Sequence, residues 1–397
     1  MQTLDPSTID RDVAAVLDLV LDDLLRDRLE EAQAIEGPFA SDIARRVAAF
    51  TTGGHRRRSR LLWWAMRAVG GEGDEVADAT MRAAAAIELV QTCALIHDDV
   101  MDGSLTRRGE PAVHVALDRQ YRTEGRAGPG TGFGRSAAVL AGDLALAWAD
   151  DVFTEALLRT PHSAGLGAQW RAMRTEMVAG QYLDVRAQVT GARSRSLAFR
   201  TAVLKTACYS AVHPLLLGAR LAGAGEGAVR ELRRAGMCAG IAFQLENDLQ
   251  GVFGDPARTG KPAGEDLREG KATYLLAVGR ALCVRRGDTA GLRLLETVVG
   301  SPSATDDDRC RVRDLLDALG ALGHVTARVD ALCARAVDAL RRATLVPGPA
   351  EHLERILLDA CGRTPAGLAS DTRAGVRDLG LRKRAQRSSA PVTEGVR

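Results

Sequence analysis

Two acidic clusters stand where helices must end, and they constrain the fold more than any other feature of the chain. The first, His97-Asp98-Asp99-Val100-Met101-Asp102, closes a long helical stretch just before Gly103. The second, Glu246-Asn247-Asp248, runs into Gly254-Asp255-Pro256, where another helical stretch must stop. A helix C-terminus carries partial negative charge and favours Lys, Arg or His in its last turn. Carboxylates gathered there are unfavourable unless cations neutralise them, so the clusters point to bound metal. Asp98 and Asp102 are four apart and share one helix face, with Asp99 turned aside. Oxygen donors with no Cys or second His nearby suit Mg²⁺, which keeps part of its water and is usually shared with substrate phosphates.

Helical periodicity dominates the rest of the chain. Apolar residues recur at three and four from Ser7 to Ala48 (Val13, Val16, Leu17, Val20, Leu21, Leu24, Leu25). Helices are predicted over Leu61–Val69, Ala77–Met101, Ser136–Leu158, Trp170–Val189, Ser196–Leu221, Gly225–Phe253 and, with breaks, Thr273 to about Asp359. No strand and no fixed-period repeat is evident. Apolar content of 46% with only 4% aromatics, rich in Ala and Leu, favours helices over sheets. The predicted architecture is all-α: one large helical bundle, residues 1–361, with its ligand cavity between helices. A polar, flexible tail is expected over 362–397. A net charge of +2 gives no reason to expect a nucleic-acid or anionic-membrane partner. Seven dispersed cysteines without C-x-x-C spacing suit a reducing cytoplasm. No secretory signal is evident, and no apolar run approaches the length of a membrane span.

Basic residues sharpen the reading. Only four of the 53 are lysine: Lys205, Lys261, Lys271 and Lys383. In a chain this rich in arginine, surviving lysines mark places where a compact ammonium matters, as against phosphate. Lys383 lies in the polar tail. Directly after the first acidic cluster, Arg107 and Arg108 precede Gly109-Glu110-Pro111 and offer forked donors to phosphate oxygens. Acids that hold metal beside bases that hold phosphate describe a site for a diphosphate bound as its magnesium salt.

These motifs together resemble the trans-isoprenyl diphosphate synthases, the polyprenyl synthetase family, and among them most the geranylgeranyl diphosphate synthases of high-GC bacteria. The resemblance runs from about Ala48 to Gly291. It rests on Glu88 to Gln91, Leu95 to Asp102, Arg107-Arg108-Gly109, Leu140-Ala141-Gly142-Asp143, Gly180 to Asp184, Lys205-Thr206-Ala207, Phe243-Gln244, Phe253 to Pro256, Thr259-Gly260-Lys261 and Asp266 to Lys271. It implies Mg²⁺, three ions per site, on Asp98, Asp99, Asp102, Asn247 and Asp248. An allylic diphosphate would lie on the metals with Arg107, Lys205 and Lys261 at its oxygens. Isopentenyl diphosphate would be held by Gly54, His55, Arg58, Gln91 and Arg108, with Lys271 also facing phosphate. Thr206 and Gln244 would steady an allylic cation. Members pair as homodimers.

Three departures stand out. The family's Gly-Gly-Lys-Arg turn is here Gly53-Gly54-His55-Arg56, with Ser59 where Pro is usual. His55 loses charge near neutral pH, which weakens one grip on isopentenyl diphosphate. The second aspartate-rich motif opens Asn247-Asp248 and has Gly251 for its last Asp. Asn247, Gly251 and Asp255 also fall at the spacing of the metal triad of class I terpene cyclases, although Gly251 supplies no ligand. A cyclase therefore remains an alternative, as does a weakly active regulatory subunit of a synthase.

Product length should follow from the pocket wall. Cys93 and Ala94 lie about one helical turn, roughly 5.4 Å, beyond Asp98. Two small side chains there leave room for a geranylgeranyl or longer product, with Val90 and Leu89 a further turn down. Other signals are weak: the glycines of 128–134 follow no strand, and the histidines have no zinc spacing.

Overall fold

Local signals cut the first helical stretch more finely than its periodicity predicts. The computed structural model describes residues 5–123, 132–163, 165–191, 194–254 and 264–363. Asp12 adopts an extended backbone and its carboxylate accepts from Ala15 N at 3.0 Å, so it caps a new helix. The stretch therefore divides into α1 (Pro6–Arg11) and α2 (Val13–Ile35). Extended Glu36 ends α2, and the chain continues through α3 (Gly37–Phe39), which carries Pro38 in its first turn, a π-helical turn (Ala40–Ala44) and α4 (Arg45–Thr51).

After the glycine turn come α5 (Arg57–Ala68) and α6 (Asp74–Asp102), then α7 (Val113–Thr123), α8 (Phe133–Leu158), α9 (Leu166–Thr190) and α10 (Arg195–Thr201). A π-helical stretch (Ala202–Val212) leads into α11 (His213–Leu221) and α12 (Glu226–Phe253). A short helix, α13 (Glu265–Glu269), precedes Lys271. The last predicted stretch resolves into α14 (Tyr274–Arg286), α15 (Thr289–Val298), α16 (Asp306–Ala318), α17 (Ala321–Arg342) and α18 (Pro347–Ala360).

One strand pair corrects the expectation of none: β1 (Thr106–Arg107) runs antiparallel to β2 (Glu110–Pro111). Its two-residue loop, Arg108-Gly109, has positive φ at both positions, as a primed hairpin turn requires. Arg108 is one of only two non-glycine residues at positive φ among the described residues; the other is Arg56, in the glycine turn before α5.

Alanine sets the spacing at the centre. Ala79, Ala83 and Ala86 of α6 and Ala138, Ala141, Ala145 and Ala149 of α8 are fully buried. Small side chains let these two helices approach closely. Gly142 carries this furthest, since a Cβ there would lie 2.1 Å from His97 Nε2. By length and composition α6 would pass for a membrane span, which corrects the expectation of none, but 78% of its apolar window is buried inside the bundle. The apolar character belongs to a core helix.

Two apolar clusters fill the interior. The larger gathers Leu17, Leu62, Trp63, Ile87, Phe153, Leu216 and Ile356. The second, including Leu245, Leu249, Leu276, Val325 and Leu332, packs the C-terminal helices onto α12. Each fully buried Leu or Ile contributes about 1.5–3 kcal/mol of apolar burial. Helix α12 supplies residues to both clusters and so links the halves. The expected tail begins tied down: Arg363 donates to Asp330 at 2.8 Å and to Glu246 at 2.9 Å. Residues 364–397 lie outside the described residues.

Candidate active site

Gly103 in the left-handed conformation stops α6 and leaves its acidic last turn at the rim of a cavity of about 430 Å³. Across the cavity stands the end of α12. Asp98, Asp184, Lys205, Thr206, Gln244, Asn247, Asp248, Asp266 and Lys271 all line it. Asp98 accepts from Lys205 Nζ at 3.1 Å and from Gln181 Nε2 at 3.0 Å. Lys205 also donates to Asp184 at 2.6 Å. Burial opposes ionisation of Asp98, but Lys205 and Arg107 outweigh it and hold its carboxyl below the usual range. Burial likewise works against the Lys205 ammonium, and Asp184 and Asp98 overcome it, so the lysine stays charged.

Asp102 has the opposite balance: burial, then the charge of Asp98, raise its carboxyl pKa. Its Oδ1 is buried with no hydrogen-bond partner among the described residues. An orphaned carboxylate oxygen four residues from Asp98 fits a hard divalent cation, as does the all-oxygen donor set. Asp99 is tied to a base through one oxygen, while its Oδ2 is buried with no hydrogen-bond partner among the described residues. It is 1% exposed and is held by Arg107, whose Nε donates to Oδ1 at 2.9 Å. Asp99 therefore anchors Arg107, whose guanidinium also lies 3.7 Å from Asp98.

The α12 wall is a relay of hydrogen bonds. Thr206 Oγ1 donates to Gln244 Oε1 at 2.6 Å, and Gln244 Nε2 donates to Asp248 at 2.7 Å. Asp248 also accepts from Tyr274 N at 3.0 Å. Burial and then the neighbouring Asp266 push the Asp248 carboxyl up to about 7. Gly251 explains how Asp266 reaches it: a Cβ at 251 would lie 2.1 Å from Asp266 Oδ2. Where the family motif has its last Asp, this chain leaves space that Asp266 fills. Lys271 lies 2.7 Å from Glu269 and 3.8 Å from Asp266. Burial opposes its charge, and these acids raise its pKa well above the ordinary value. Glu246, grouped with this cluster by sequence, belongs instead to the Arg363 contact.

The basic turn before α5 divides its work. Arg56 is buried, donating to Glu88 at 2.9 Å and to Asp18 at 2.8 Å. Ser59, in the family's proline position, donates to Glu88 at 2.6 Å. Arg58 donates to Ser210 at 2.9 Å with its guanidinium 4.4 Å above the Tyr209 ring, while its Nε is buried without a partner among the described residues. Arg108 reaches back to the carbonyls of Phe50 and Thr52, at 3.2 and 3.1 Å, beside Gly54. His55 is exposed. Gln91 sits on α6 two turns before Asp98, with its Oε1 buried and without a partner among the described residues.

The expected chain-length wall divides as well. Ala94 is half-buried one turn before Asp98, whereas Cys93 packs its Sγ 3.7 Å from His97 Nδ1, toward α8. Leu89 and Val90 are fully buried. Lys261 lies outside the described residues, as does Asp255. The sequence places Gln181 and Asp184 in one motif without assigning either a role in the site. Their spacing of three on α9 was the available signal. Asp143, at the comparable family position on α8, stays 62% exposed.

The polyprenyl synthetase profile matches residues 42–308. The geranylfarnesyl diphosphate synthase of Aeropyrum pernix is 31% identical over 315 residues, covering 77% of this chain and 89% of that protein. The geranylgeranyl diphosphate synthase of Mycobacterium tuberculosis is 33% identical, covering 76% and 80%. A crystal structure of the geranylgeranyl pyrophosphate synthase of Corynebacterium glutamicum, complexed with isoprenyl diphosphate and magnesium, superposes with a TM-score of 0.83 at 34% identity. That alignment covers 88% of this chain and 98% of that one. The chain belongs to the polyprenyl synthetase family and is a trans-prenyltransferase.

Proposed function

We propose that this enzyme condenses isopentenyl diphosphate with an allylic diphosphate, with Mg²⁺, to make geranylgeranyl diphosphate or a longer product. The observation that carries this reading is the pairing of Asp98 with Lys205 across a cavity whose far wall is Asn247 and Asp248. The names of the relatives above support the substrate class and the product range.

Asp98 and Asp102, facing Asn247 and Asp248, are the residues that would hold Mg²⁺, three ions in all. Bound there, Mg²⁺ neutralises charge on the departing diphosphate. Lys205, Lys271 and Arg107, joined by Lys261, donate to diphosphate oxygens. As the allylic C–O bond breaks, these preoriented cations stabilise the charge that develops on the leaving oxygen. The hydroxyl of Thr206 and the carbonyl of Gln244 turn oxygen dipoles toward the allylic cation. Arg108, Gly54, His55, Arg58 and Gln91 hold isopentenyl diphosphate so that its double bond attacks. The new C–C bond forms, and the proton then lost passes to a diphosphate oxygen. Low water access to the helical cavity protects the cation from quenching.

A homodimer fits the surface. Val139 and Leu140 on α8 and Val178 and Tyr182 on α9 are large, apolar and 42–64% exposed. A reducing cytoplasm accords with the dispersed cysteines. Labelled isopentenyl diphosphate with dimethylallyl, geranyl or farnesyl diphosphate and Mg²⁺, followed by product chromatography, tests the reading. Consumption of isopentenyl diphosphate into a C20 or longer diphosphate is expected. A hydrocarbon formed without it means cyclisation, and inactivity without a partner synthase means a regulatory subunit.

A further inference from the structure

Away from the acidic cavity, Glu176, Cys208 and His213 bring a carboxylate oxygen, a thiol and an imidazole nitrogen within 4.8 Å of one another. Sequence spacing gives no hint of this, because Cys208 and His213 are five positions apart. In an α-helix that interval is about 1.4 turns and places side chains on different sides. Here the segment is π-helical, and His213 N donates to Cys208 O, an i→i+5 bond that turns both residues to one face. Glu176 arrives from α9, its carboxylate 3.0 Å from His213 Nε2. Gln169 hydrogen-bonds the other ring nitrogen, Nδ1. Cys208 and His213 are 6% and 2% exposed, while Glu176 is 38% exposed at its side chain and gives an entry path.

We propose that Glu176, Cys208 and His213 form a site for a borderline-soft divalent transition metal, of which zinc is the best match, with water as fourth ligand. Mixed S, N and O donors select such a metal over Mg²⁺, and three protein ligands plus water is a common zinc arrangement. The protonation balance is simple. The metal displaces the thiol proton to solvent, and the Cys208 thiolate and Glu176 carboxylate cancel its two charges. His213 binds through Nε2 with its proton on Nδ1, donating to the Gln169 oxygen once that amide is turned over. A hydrogen-bonded second partner that fixes the imidazole is the usual companion of a metal-binding histidine.

The site would staple α9 to the π-helical stretch one turn from the active site. Gly180 on α9 already packs against Lys205, since a Cβ there would lie 2.2 Å from Lys205 N. The metal would thus brace the Lys205–Asp184 contact.

Cobalt titration of the chelator-treated full-length enzyme tests this. The expected result is one equivalent of Co²⁺ giving a thiolate-to-metal charge-transfer band, displaced by zinc and absent in Cys208→Ser. Glu176→Gln and Gln169→Ala should each weaken affinity by at least about 10-fold. Asp98→Asn should leave the band intact. Circular dichroism establishes that each variant is folded; should Cys208→Ser fail to fold, the partly exposed Glu176→Gln decides. No charge-transfer band, or a band that survives Cys208→Ser or is unaffected by Glu176→Gln, would reduce the cluster to a hydrogen-bonded triad and overturn the proposal.

Discussion

Asp98 is the residue on which the site turns, because one carboxylate faces Lys205, Gln181 and Arg107 together. Asp98→Asn keeps its shape but removes the charge those donors meet. Turnover should fall by about 10²–10³-fold, in the range for losing one preoriented electrostatic contact, with the fold unchanged by circular dichroism. Asp248 makes a different prediction. Its carboxyl rises on folding from 3.8 to about 7, so between those values the native state keeps a proton that the unfolded chain has released. Stability of the metal-free protein contributed by this group therefore falls as pH climbs through that window, and stays low above it. Buried His114 and His213, whose pKa values are lowered chiefly by burial, act in the opposite sense at acid pH. The decisive measurement is therefore the difference in melting temperature between wild type and Asp248→Asn at pH 5 and pH 8. The variant should gain relative to wild type at pH 8, and Mg²⁺ should narrow that gain. A gap that does not change with pH would show that Asp248 does not titrate in this window. At this scale the sequence exposed the charged residues but not their partners. Asp99 anchors Arg107 through one oxygen; Asp266 and Gly251 are neighbours that fourteen intervening residues concealed.

Between elements, close approach decides what the helices can carry. Helix α9 meets the π-helical stretch at Gly180, where only hydrogen fits against the backbone of Lys205. In an exposed helix Gly→Ala is worth about 1 kcal/mol in favour of alanine. Here the Cβ would strike backbone, which cannot swing aside as a side-chain tip can, so overpacking dominates. Gly180→Ala should destabilise by about 1–3 kcal/mol in urea unfolding and reduce activity as Lys205 moves from Asp184. Helix boundaries were legible wherever a capping residue or glycine marked them: α6 and α12 end where Gly103 and Gly254 say they should. The break at Asp12 carried its own local signal, a capping side chain. The π-helical register of 202–212 had none, since it exists to satisfy packing between α9, α11 and α12.

For the whole molecule, the acidic ends of α6 and α12 set one end of the cavity, and under the proposed function the α6 residues before Asp98 would limit product length. Ala94 lies on the Asp98 face, so Ala94→Phe should shift products toward shorter prenyl diphosphates by chromatography. An unchanged product spectrum would remove Ala94 from the wall. The sequence by itself determined the helical class, the two acidic helix ends and the sparse lysines, two of which, Lys205 and Lys271, line the cavity, because periodicity, capping and composition are local properties. Only the tertiary structure decided which carboxylates face the cavity and which serve as anchors. It also placed Cys93 toward α8 and filled the space at Gly251 with Asp266. Those outcomes depend on how closely helices pack and on the burial of each charge, and such quantities arise only when distant segments meet.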